Sequence, residues 1–271
     1  MVHVLSVDVG TRHLAWFSGE LIQFTSSIEC AAAAAPLDNP PIFKHVHRIC
    51  DDKNSEWHVM DIVPSDSLIQ NVNEARVEDL VPWLQSAFTQ NKHKMLYVGD
   101  FCVERVYIEQ QPMGIGVAAA RNIKTKVLSH VLQALILQEF PNMMITFVSP
   151  RIKLRHASLA LGKTPETYAD NKRAAKKLTP ILLKKLSAPK LLTTFEQRKG
   201  KKDDLADSLL QAIYAFDDEC EALCKLEQKM QKQNRQINDD VFSEPIRAIK
   251  KKRVKKIDTA VAAALILGNL P

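Results

Sequence analysis

The sequence predicts an α/β protein in which helices flank a mixed β-sheet. Apolar runs of strand length occupy the first part of the chain, and segments with helical periodicity alternate with further strands after them. This order is typical of an α/β domain with a mixed sheet. At 271 residues, the chain is long enough for one large domain or two small ones.

Turn signals separate the apolar runs that predict the strands. The first run, Val2–Val9, contains one carboxylate and is followed by the turn signal Gly10-Thr11. The other predicted strands are His13–Phe17 with Leu21–Phe24, Val46–Ile49, Trp57–Ile62, Val103–Ile108 and Met144–Val148. The alanine and proline residues around 31–41 predict a low-complexity loop or insertion.

Four segments carry apolar residues at helical spacing. They are Val72–Phe88, Ile115–Phe140, Glu166–Leu186 and Asp203–Phe216. Pro180 predicts an interruption or a kink in the third segment, because proline cannot donate a helical hydrogen bond. We expect one domain over residues 1–217, followed by a charged helical extension with a basic tail over residues 218–271.

The charge distribution indicates a polyanionic partner. The net charge is +6, but residues 1–100 hold 7 Lys and Arg against 13 Asp and Glu, whereas residues 101–271 hold 30 against 18. Nucleic acid is the first candidate, and a merely basic surface is the alternative that charge alone leaves open. No apolar run reaches the roughly 18–20 residues that span a bilayer, and no secretory signal is visible. Five scattered cysteines fit free thiols, so we expect an intracellular protein without a membrane partner.

Several carboxylates occur where they would be costly unless they had partners or a role. Asp8 lies inside the first apolar strand, and Glu109 ends another. Asp203, Asp204 and Asp207 open an amphipathic helix, where spacings of three and four residues bring side chains to one surface. Turn amides, a sheet edge and helix capping would explain each acid alone. Together they predict a site for hard divalent cations, which favour carboxylate oxygens and can act in pairs on a phosphodiester.

Three motifs surround these acids. They are Ser-Val-Asp8-Val-Gly-Thr, Tyr-Ile-Glu109-Gln-Gln-Pro and Lys-Lys-Asp-Asp204-Leu-Ala-Asp207-Ser. They resemble the motifs of RuvC-like Holliday junction resolvases, and the last two are similar to the branch that contains poxvirus resolvases and fungal mitochondrial cruciform-cutting enzymes. The resemblance runs from residue 2 to about 217, without the segment around 31–41. It implies a ribonuclease-H-like fold for residues 1–217.

The resemblance also implies a function, namely a structure-selective endonuclease that resolves four-way DNA junctions by paired nicks. It implies that Asp8, Glu109, Asp204 and Asp207 hold two Mg²⁺ ions, with Mn²⁺ as a substitute and no small-molecule cofactor. The family pattern favours Asp204, whereas spacing alone leaves Asp203 open. Because a four-way junction has two-fold symmetry, we expect a homodimer. The helix Ile115–Phe140 is a candidate dimer surface, with core packing as the alternative.

Cations near the motifs are expected to contact the phosphate backbone of DNA. They are Arg121, Lys124, Lys126, Lys153, Arg155, Lys172, Arg173, Lys176, Lys177, Lys201 and Lys202. A solvated helix face is the alternative for each of them. The basic run Arg247–Lys256 predicts a nuclear localisation signal, a nucleic-acid arm or a charged linker. Because the first motif opens the sequence, we expect a viral factory or a host nucleus as the location, with the mitochondrion as the alternative.

The same residues also fit other functions. An RNA–DNA hybrid or another branched DNA would suit the same chemistry, and a non-catalytic DNA-binding module would need only the fold. The segment Asp8-Val-Gly-Thr also resembles the first phosphate loop of actin-like and sugar-kinase ATPases, which need a second glycine-rich loop. The chain has eight glycines and no other Asp-x-Gly. Its cysteines and histidines form no four-ligand zinc spacing.

Overall fold

The computed structural model describes residues 1–23, 45–50, 55–69, 71–72, 74–111 and 117–233. The predicted insertion around 31–41 and the basic tail lie outside these residues. The chain divides into two compact units, Met1–Cys220 and Glu221–Pro271. The predicted domain boundary after residue 217 stays a prediction.

Most strands in the described residues belong to one mixed sheet. The strands are β1 (Val2–Val9), β2 (His13–Gln23), β3 (Val46–Cys50), β4 (Glu56–Asp61), β5 (Tyr97–Val98), β6 (Phe101–Cys102), β7 (Arg105–Glu109) and β8 (Met144–Val148). The order in the sheet is β3-β2-β1-β7-β8, and β4 also pairs with β2, whereas β5 and β6 form a separate hairpin. The pairs that involve β2 are antiparallel, and β1, β7 and β8 run parallel.

Helices cover both faces of this sheet. They are α1 (Val77–Leu96), α2 (Val117–Glu139), α3 (Ala157–Leu161), α4 (Tyr168–Lys185), α5 (Pro189–Gln197) and α6 (202–233). One apolar core joins the sheet to α1 and α2, and a second joins the opposite face to α4, α5 and α6. The predicted mixed sheet flanked by helices is therefore confirmed. An antiparallel meander continued by two parallel strands is also the ribonuclease-H-like arrangement that the motifs imply.

Two helices differ from the predictions. Helix α1 covers Val77–Leu96 and not the predicted Val72–Phe88. It begins at Val77 because the Arg76 N–H donates to the Asp79 carboxylate at 2.9 Å and so caps the helix there. Helix α4 is not interrupted at Pro180. The proline removes one helical hydrogen bond, but buried residues such as Leu178 and Leu182 fix the helix on the core.

The apolar residues of α2 pack into the core of the same chain. Leu132 and Ile136 are fully buried, and Val131 and Leu135 pack against them from partly buried positions. Core packing therefore accounts for these side chains, and the homodimer stays a prediction. None of the helices in the described part of the chain is long and apolar enough to cross a membrane.

Candidate active site

Asp8 and Glu109 come together because they lie at the ends of neighbouring parallel strands. Strands β1 and β7 are paired and parallel, so their C-terminal residues lie side by side. Side chains alternate between the two faces of a sheet. Val4 and Tyr107 both belong to the core shared with α4, α5 and α6. Asp8 and Glu109 follow them by an even number of residues, so both acids are on the face that α6 covers.

Helix α6 is fixed across these two strand ends by a buried amide. The side-chain N–H₂ of Gln211 donates to the carbonyl of Val7 at 3.2 Å and to that of Tyr107 at 3.1 Å. Gln211 is fully buried. The two carbonyls lie one residue before Asp8 and two residues before Glu109. Because the candidate acids of α6 lie one and two turns before Gln211, this bond sets their position relative to the strand acids.

Further bonds fix the next turns of α6. The Glu219 carboxylate accepts from Arg105 Nε and from the Tyr107 hydroxyl, both at 2.7 Å. The Asp217 carboxylate accepts from the backbone N–H of Val46 at 3.3 Å. These contacts join the helix to β7 and β3, so its acids project from a rigid support.

The ammonium group of Lys153 lies among three of the candidate acids. Its Nζ is 2.5 Å from Glu109 Oε2, 3.2 Å from Asp207 Oδ2 and 3.7 Å from Asp8 Oδ2. Lys153 comes from a 3-10 turn that follows β8, and it is 6% exposed. The sequence predicts it as a DNA contact, but its charge is directed into the acid cluster. Three carboxylates from separate elements therefore converge on one point.

This convergence shifts the protonation of the cluster. Burial, together with the charge of Asp8, raises the pKa of Glu109 to about 8 against the opposing effect of Lys153. Burial also raises the pKa of Asp207 to about 6, again against Lys153. For Lys153, burial alone would lower the pKa, but the surrounding carboxylates raise it well above its usual value. The ammonium group is therefore charged, and it is outnumbered by carboxylates.

Asp203 and Asp204 have different surroundings, although spacing alone does not separate them. Asp203 forms an ion pair with Lys172 of α4, and this contact lowers the pKa of Asp203 although burial would raise it. Asp204 lines the same cavity as Asp8 and Asp207. Burial and the charge of Asp203 raise the pKa of Asp204. The structure therefore groups Asp204 with the other three candidate acids.

A cavity of about 990 Å³ contains all four of these acids. Its lining includes the cations Lys153, Lys172 and Lys201, which the sequence analysis names, and also Arg12 and Arg151. Arg12 forms an ion pair with Asp61 at 2.8 Å, and Arg151 is exposed. Both arginines directly follow turn signals, but no periodicity or motif distinguishes them in the sequence. The cavity therefore combines acids with cations that can bind phosphate.

Among the side chains that the structure describes, the other predicted DNA contacts do not line this cavity. Lys124 donates to the carbonyl of Ala75 at 2.6 Å, and Lys202 donates to that of Glu196 at 2.8 Å. Four side chains outside the cavity are exposed, namely those of Arg155, Arg173, Lys176 and Lys177. Lys126 is half-buried on α2, and the side chain of Arg121 lies outside the described residues. The DNA contacts of all these residues stay predictions.

The acid cluster suits a divalent cation in composition and charge. In the described part of the chain, no three His, Cys, Asp or Glu side chains are already arranged as a metal-binding group, and Lys153 lies at the point where three carboxylates meet. The four carboxylates nevertheless outnumber the two ammonium groups, Lys153 and Lys201, that form ion pairs with them. Buried acids with raised pKa values are stabilised by added positive charge, and their oxygen atoms are the ligands that Mg²⁺ prefers.

Divalent cations are expected to bind this cluster more tightly as the pH rises from 6 to 8. Cation binding requires ionised carboxylates. With pKa values of about 6 for Asp207 and about 8 for Glu109, Asp207 is about half protonated at pH 6 and ionised at pH 8, whereas Glu109 is protonated at pH 6 and about half ionised at pH 8. Affinity should therefore rise roughly tenfold or more over this range, with proton release on binding.

Isothermal titration calorimetry with Mg²⁺ in buffers of different ionisation enthalpy measures both quantities. The exposed ion pair of Glu139 with Lys92 provides a control, and Glu139→Gln should keep the wild-type pH dependence. A pH-independent affinity without proton release would show that these acids do not bind the cation.

Comparisons with known proteins give only distant similarities. No family model and no curated protein matches the sequence. Similar solved structures include the yeast mitochondrial Holliday junction resolvase Ydc2, with 14% identity and a TM-score of 0.45 over 83% of this chain and 86% of that one. RuvC of T. thermophilus in complex with a Holliday junction substrate has 13% identity and a TM-score of 0.41, over 79% of this chain and 92% of that one.

A further structure of Thermus thermophilus RuvC shares 11% identity with a TM-score of 0.43, over 82% of this chain and 97% of that one. The first of these structures is of a Holliday junction resolvase, the family that the motifs resemble, and the second holds a Holliday junction substrate. With identities of 11–14% and TM-scores below 0.5, these are distant similarities.

Proposed function

We propose that this chain is a metal-dependent endonuclease that cuts four-way DNA junctions. One observation carries the proposal, namely that Asp8, Glu109, Asp204 and Asp207 lie in one cavity whose lining also contains cations. A non-catalytic DNA-binding module gains nothing from acids in a phosphate-binding cavity, because they repel the phosphates and are costly to bury. A nuclease needs both kinds of charge, one for the phosphate backbone and the other for the metal.

In this proposal, the four acids hold two Mg²⁺ ions, and Mn²⁺ can replace them. Bound in this way, the ions would lower the pKa of a water molecule and stabilise the charge that develops at a phosphodiester. The protein's own residues position these groups. Gln211 keeps the helix acids aligned with the strand acids, and Lys153 offsets part of the charge on Asp8, Glu109 and Asp207, keeping them together without metal.

Cations of the cavity lining act on the substrate. Arg12, Arg151 and Lys201 are at least partly accessible and carry charges that attract the phosphate backbone towards the acids. Phosphate contacts of this kind position DNA but do not read its sequence. Selectivity for a shape instead of a sequence is therefore consistent with this lining.

The choice of a four-way junction as the substrate rests on the motif resemblance. The same acids would also suit an RNA–DNA hybrid or another branched DNA, so a substrate panel is needed. A synthetic four-way junction should be nicked in preference to duplex, flap and hybrid when Mg²⁺ is present, and none should be cut in EDTA. If the RNA–DNA hybrid were cut as fast as the junction or faster, the junction would not be the preferred substrate and the proposal would be wrong.

Paired nicking and the homodimer follow from the same proposal. A junction offers two symmetry-related strands, and two active sites related by a two-fold axis would cut both of them. A location in a viral factory or a host nucleus, with the mitochondrion as the alternative, likewise stays a prediction.

Removing cations from the cavity lining should weaken junction binding and reduce its salt dependence. Each lost phosphate contact lowers the slope of log affinity against log salt by about 0.9 on duplex arms. Arg151→Gln combined with Lys201→Gln should therefore reduce the slope by roughly 1.8. Fluorescence anisotropy in EDTA over a range of salt concentrations measures this effect without cleavage.

Two further double variants define the extent of the DNA contact. Lys92 and Lys94 on α1 do not line the cavity, so their replacement with Gln should leave the slope unchanged. Lys176 and Lys177 are exposed on α4, and their replacement tests the sequence-based expectation for this helix. A wild-type slope for the Lys176 and Lys177 variant would mean that this surface faces away from DNA. A wild-type slope for the Arg151 and Lys201 variant would contradict the proposal that the cavity lining binds DNA.

A further inference from the structure

One aromatic ring in the cavity has no part in the chemistry described so far. Tyr168, the first residue of α4, lines the cavity and is 74% exposed. Among the described residues that line the cavity, it is the only Phe, Trp or Tyr. Single exposed aromatic residues are common on protein surfaces, so the position of this ring among acids and phosphate-binding cations is what gives it meaning.

The helix start that carries the ring is capped, and one cation contacts the ring itself. The Thr167 hydroxyl caps α4, accepting from the Asp170 N–H at 3.1 Å and donating to the Asp170 carboxylate at 3.0 Å. One turn further on, the Lys172 ammonium group lies 5.0 Å from the centre of the Tyr168 ring. Because Lys172 also forms an ion pair with Asp203, the ring is tied to the start of the helix that bears the candidate acids.

The contact with Lys172 leaves most of the ring accessible. A cation over an aromatic face is favourable, and the exposure of 74% means that much of the remaining ring surface is in contact with solvent. An accessible, positioned ring next to phosphate-binding cations is the arrangement with which proteins stack on nucleobases. Such stacking does not depend on sequence, because every base has a π face.

We propose that Tyr168 stacks on a nucleobase of bound branched DNA that has left its helical stack beside the cleaved phosphate. The proposal rests on the function proposed above and adds a source of selectivity to it. A continuous duplex keeps its bases stacked on one another, whereas a branch point interrupts the stack and exposes base faces. Tyr168 therefore distinguishes branched from linear DNA, while the cations bind the backbone of both.

Three variants test this role. Tyr168→Ala removes the ring, Tyr168→Phe keeps the ring but removes the hydroxyl, and Phe101→Ala removes a ring that is 64% exposed but outside the cavity lining. Junction and duplex affinities are measured in EDTA, beside the emission of 2-aminopurine placed at the branch-point positions of the junction. Thermal melting of each variant checks that it is folded.

Tyr168→Ala should weaken junction binding roughly tenfold, which corresponds to one lost base stack, and leave duplex binding unchanged. It should also raise the 2-aminopurine emission of the complex, whereas Tyr168→Phe and Phe101→Ala behave like the wild type. Equal losses on junction and duplex, or a Tyr168→Phe variant as weak as Tyr168→Ala, would overturn the stacking role. Wild-type cleavage of the junction decides the proposed function separately, whatever the variants do.

Discussion

Replacing Asp204 with Asn is expected to lower the rate of junction cleavage by several orders of magnitude, and Asp8→Asn should have the same effect. Each change keeps the size of the side chain but removes a charge that the divalent cation needs. Asp204 and Asp8 line the same cavity, and the charge of Asp8 is among the causes that raise the pKa of Asp204. Cleavage rates under single-turnover conditions in Mg²⁺ give the size of the effect.

Asp203→Asn is the matched control, because it makes the same chemical change one residue away. Asp203 forms its ion pair with Lys172 and does not line the cavity. Losing a partly exposed ion pair costs about 1 kcal/mol or less, so the rate should fall by less than roughly tenfold. Junction affinity in EDTA should persist in all three variants, since the cations carry it. If Asp203→Asn were inactive and Asp204→Asn active, the metal ligand on α6 would be Asp203, and the assignment to Asp204 would be wrong.

Lys153→Met is expected to destabilise the metal-free protein by about 3–5 kcal/mol, the usual effect of removing one partner from a buried ion pair. The variant leaves Asp8, Glu109 and Asp207 facing one another without the ammonium group that lies between them. For a domain of this size, the melting temperature should fall by roughly 10 °C. Mg²⁺ should restore much of the lost stability, because it supplies positive charge to the same carboxylates.

The loss in the Lys153→Met variant should also depend on pH. Acids whose pKa is raised by folding hold more protons in the folded protein, so their contribution to stability falls as the pH rises. Asp207 and Glu109, with pKa values of about 6 and about 8, are less ionised at pH 6. The variant should therefore lose less stability at pH 6 than at pH 8, as measured by thermal denaturation at both values.

Lys92→Met provides the control for this experiment. Lys92 pairs with Glu139 at 2.7 Å, but both side chains are about 40% exposed, and such a pair contributes about 1 kcal/mol or less. A Lys153→Met variant that melts like Lys92→Met would show that the ammonium group does not hold the acid cluster together. The same deficit at pH 6 and pH 8 would show that Glu109 and Asp207 are not the groups it stabilises.

Local sequence was sufficient where a single apolar run forms a single strand. The first strand, Val2–Val9, and the strand Met144–Val148 have the predicted bounds, because each is an apolar run that ends at a turn signal. The returning strand was predicted from two apolar runs, His13–Phe17 and Leu21–Phe24. The structure has one continuous strand there, His13–Gln23, in which Ser18 between the two runs is fully buried within the sheet.

The shortest elements were not predicted, because a few residues are too few to show the periodicity of a helix or the alternation of a strand. They include the hairpin of β5 and β6, the 3-10 turn Pro150–Leu154 and the five-residue α3. The 3-10 turn is the one that matters for function, since it carries Lys153 into the acid cluster. Nothing in the sequence around Lys153 indicates that its ammonium group is buried, because its three partners come from distant parts of the chain.

The candidate acids could be named from the sequence, but their surroundings could not. Asp8 and Glu109 could be identified because a carboxylate is unusual in an apolar strand. Helical spacing places both Asp203 and Asp204 on the same helix surface as Asp207. The partner that distinguishes the last two is Lys172 on another helix, which is a property of tertiary packing. Spacing within the helix therefore does not distinguish Asp203 from Asp204 as the acid that acts with Asp207, whereas the contacts of the folded chain favour Asp204.

A supercoiled plasmid that extrudes a cruciform gives the most direct test of the proposed activity. We expect the chain to convert this plasmid into linear molecules in Mg²⁺, because paired nicks across the junction open both strands. The plasmid should remain supercoiled in EDTA, and a plasmid without the cruciform should remain intact in Mg²⁺. An uncut cruciform plasmid in Mg²⁺, or equal cutting of both plasmids, would contradict the proposal that this chain is a junction-selective nuclease.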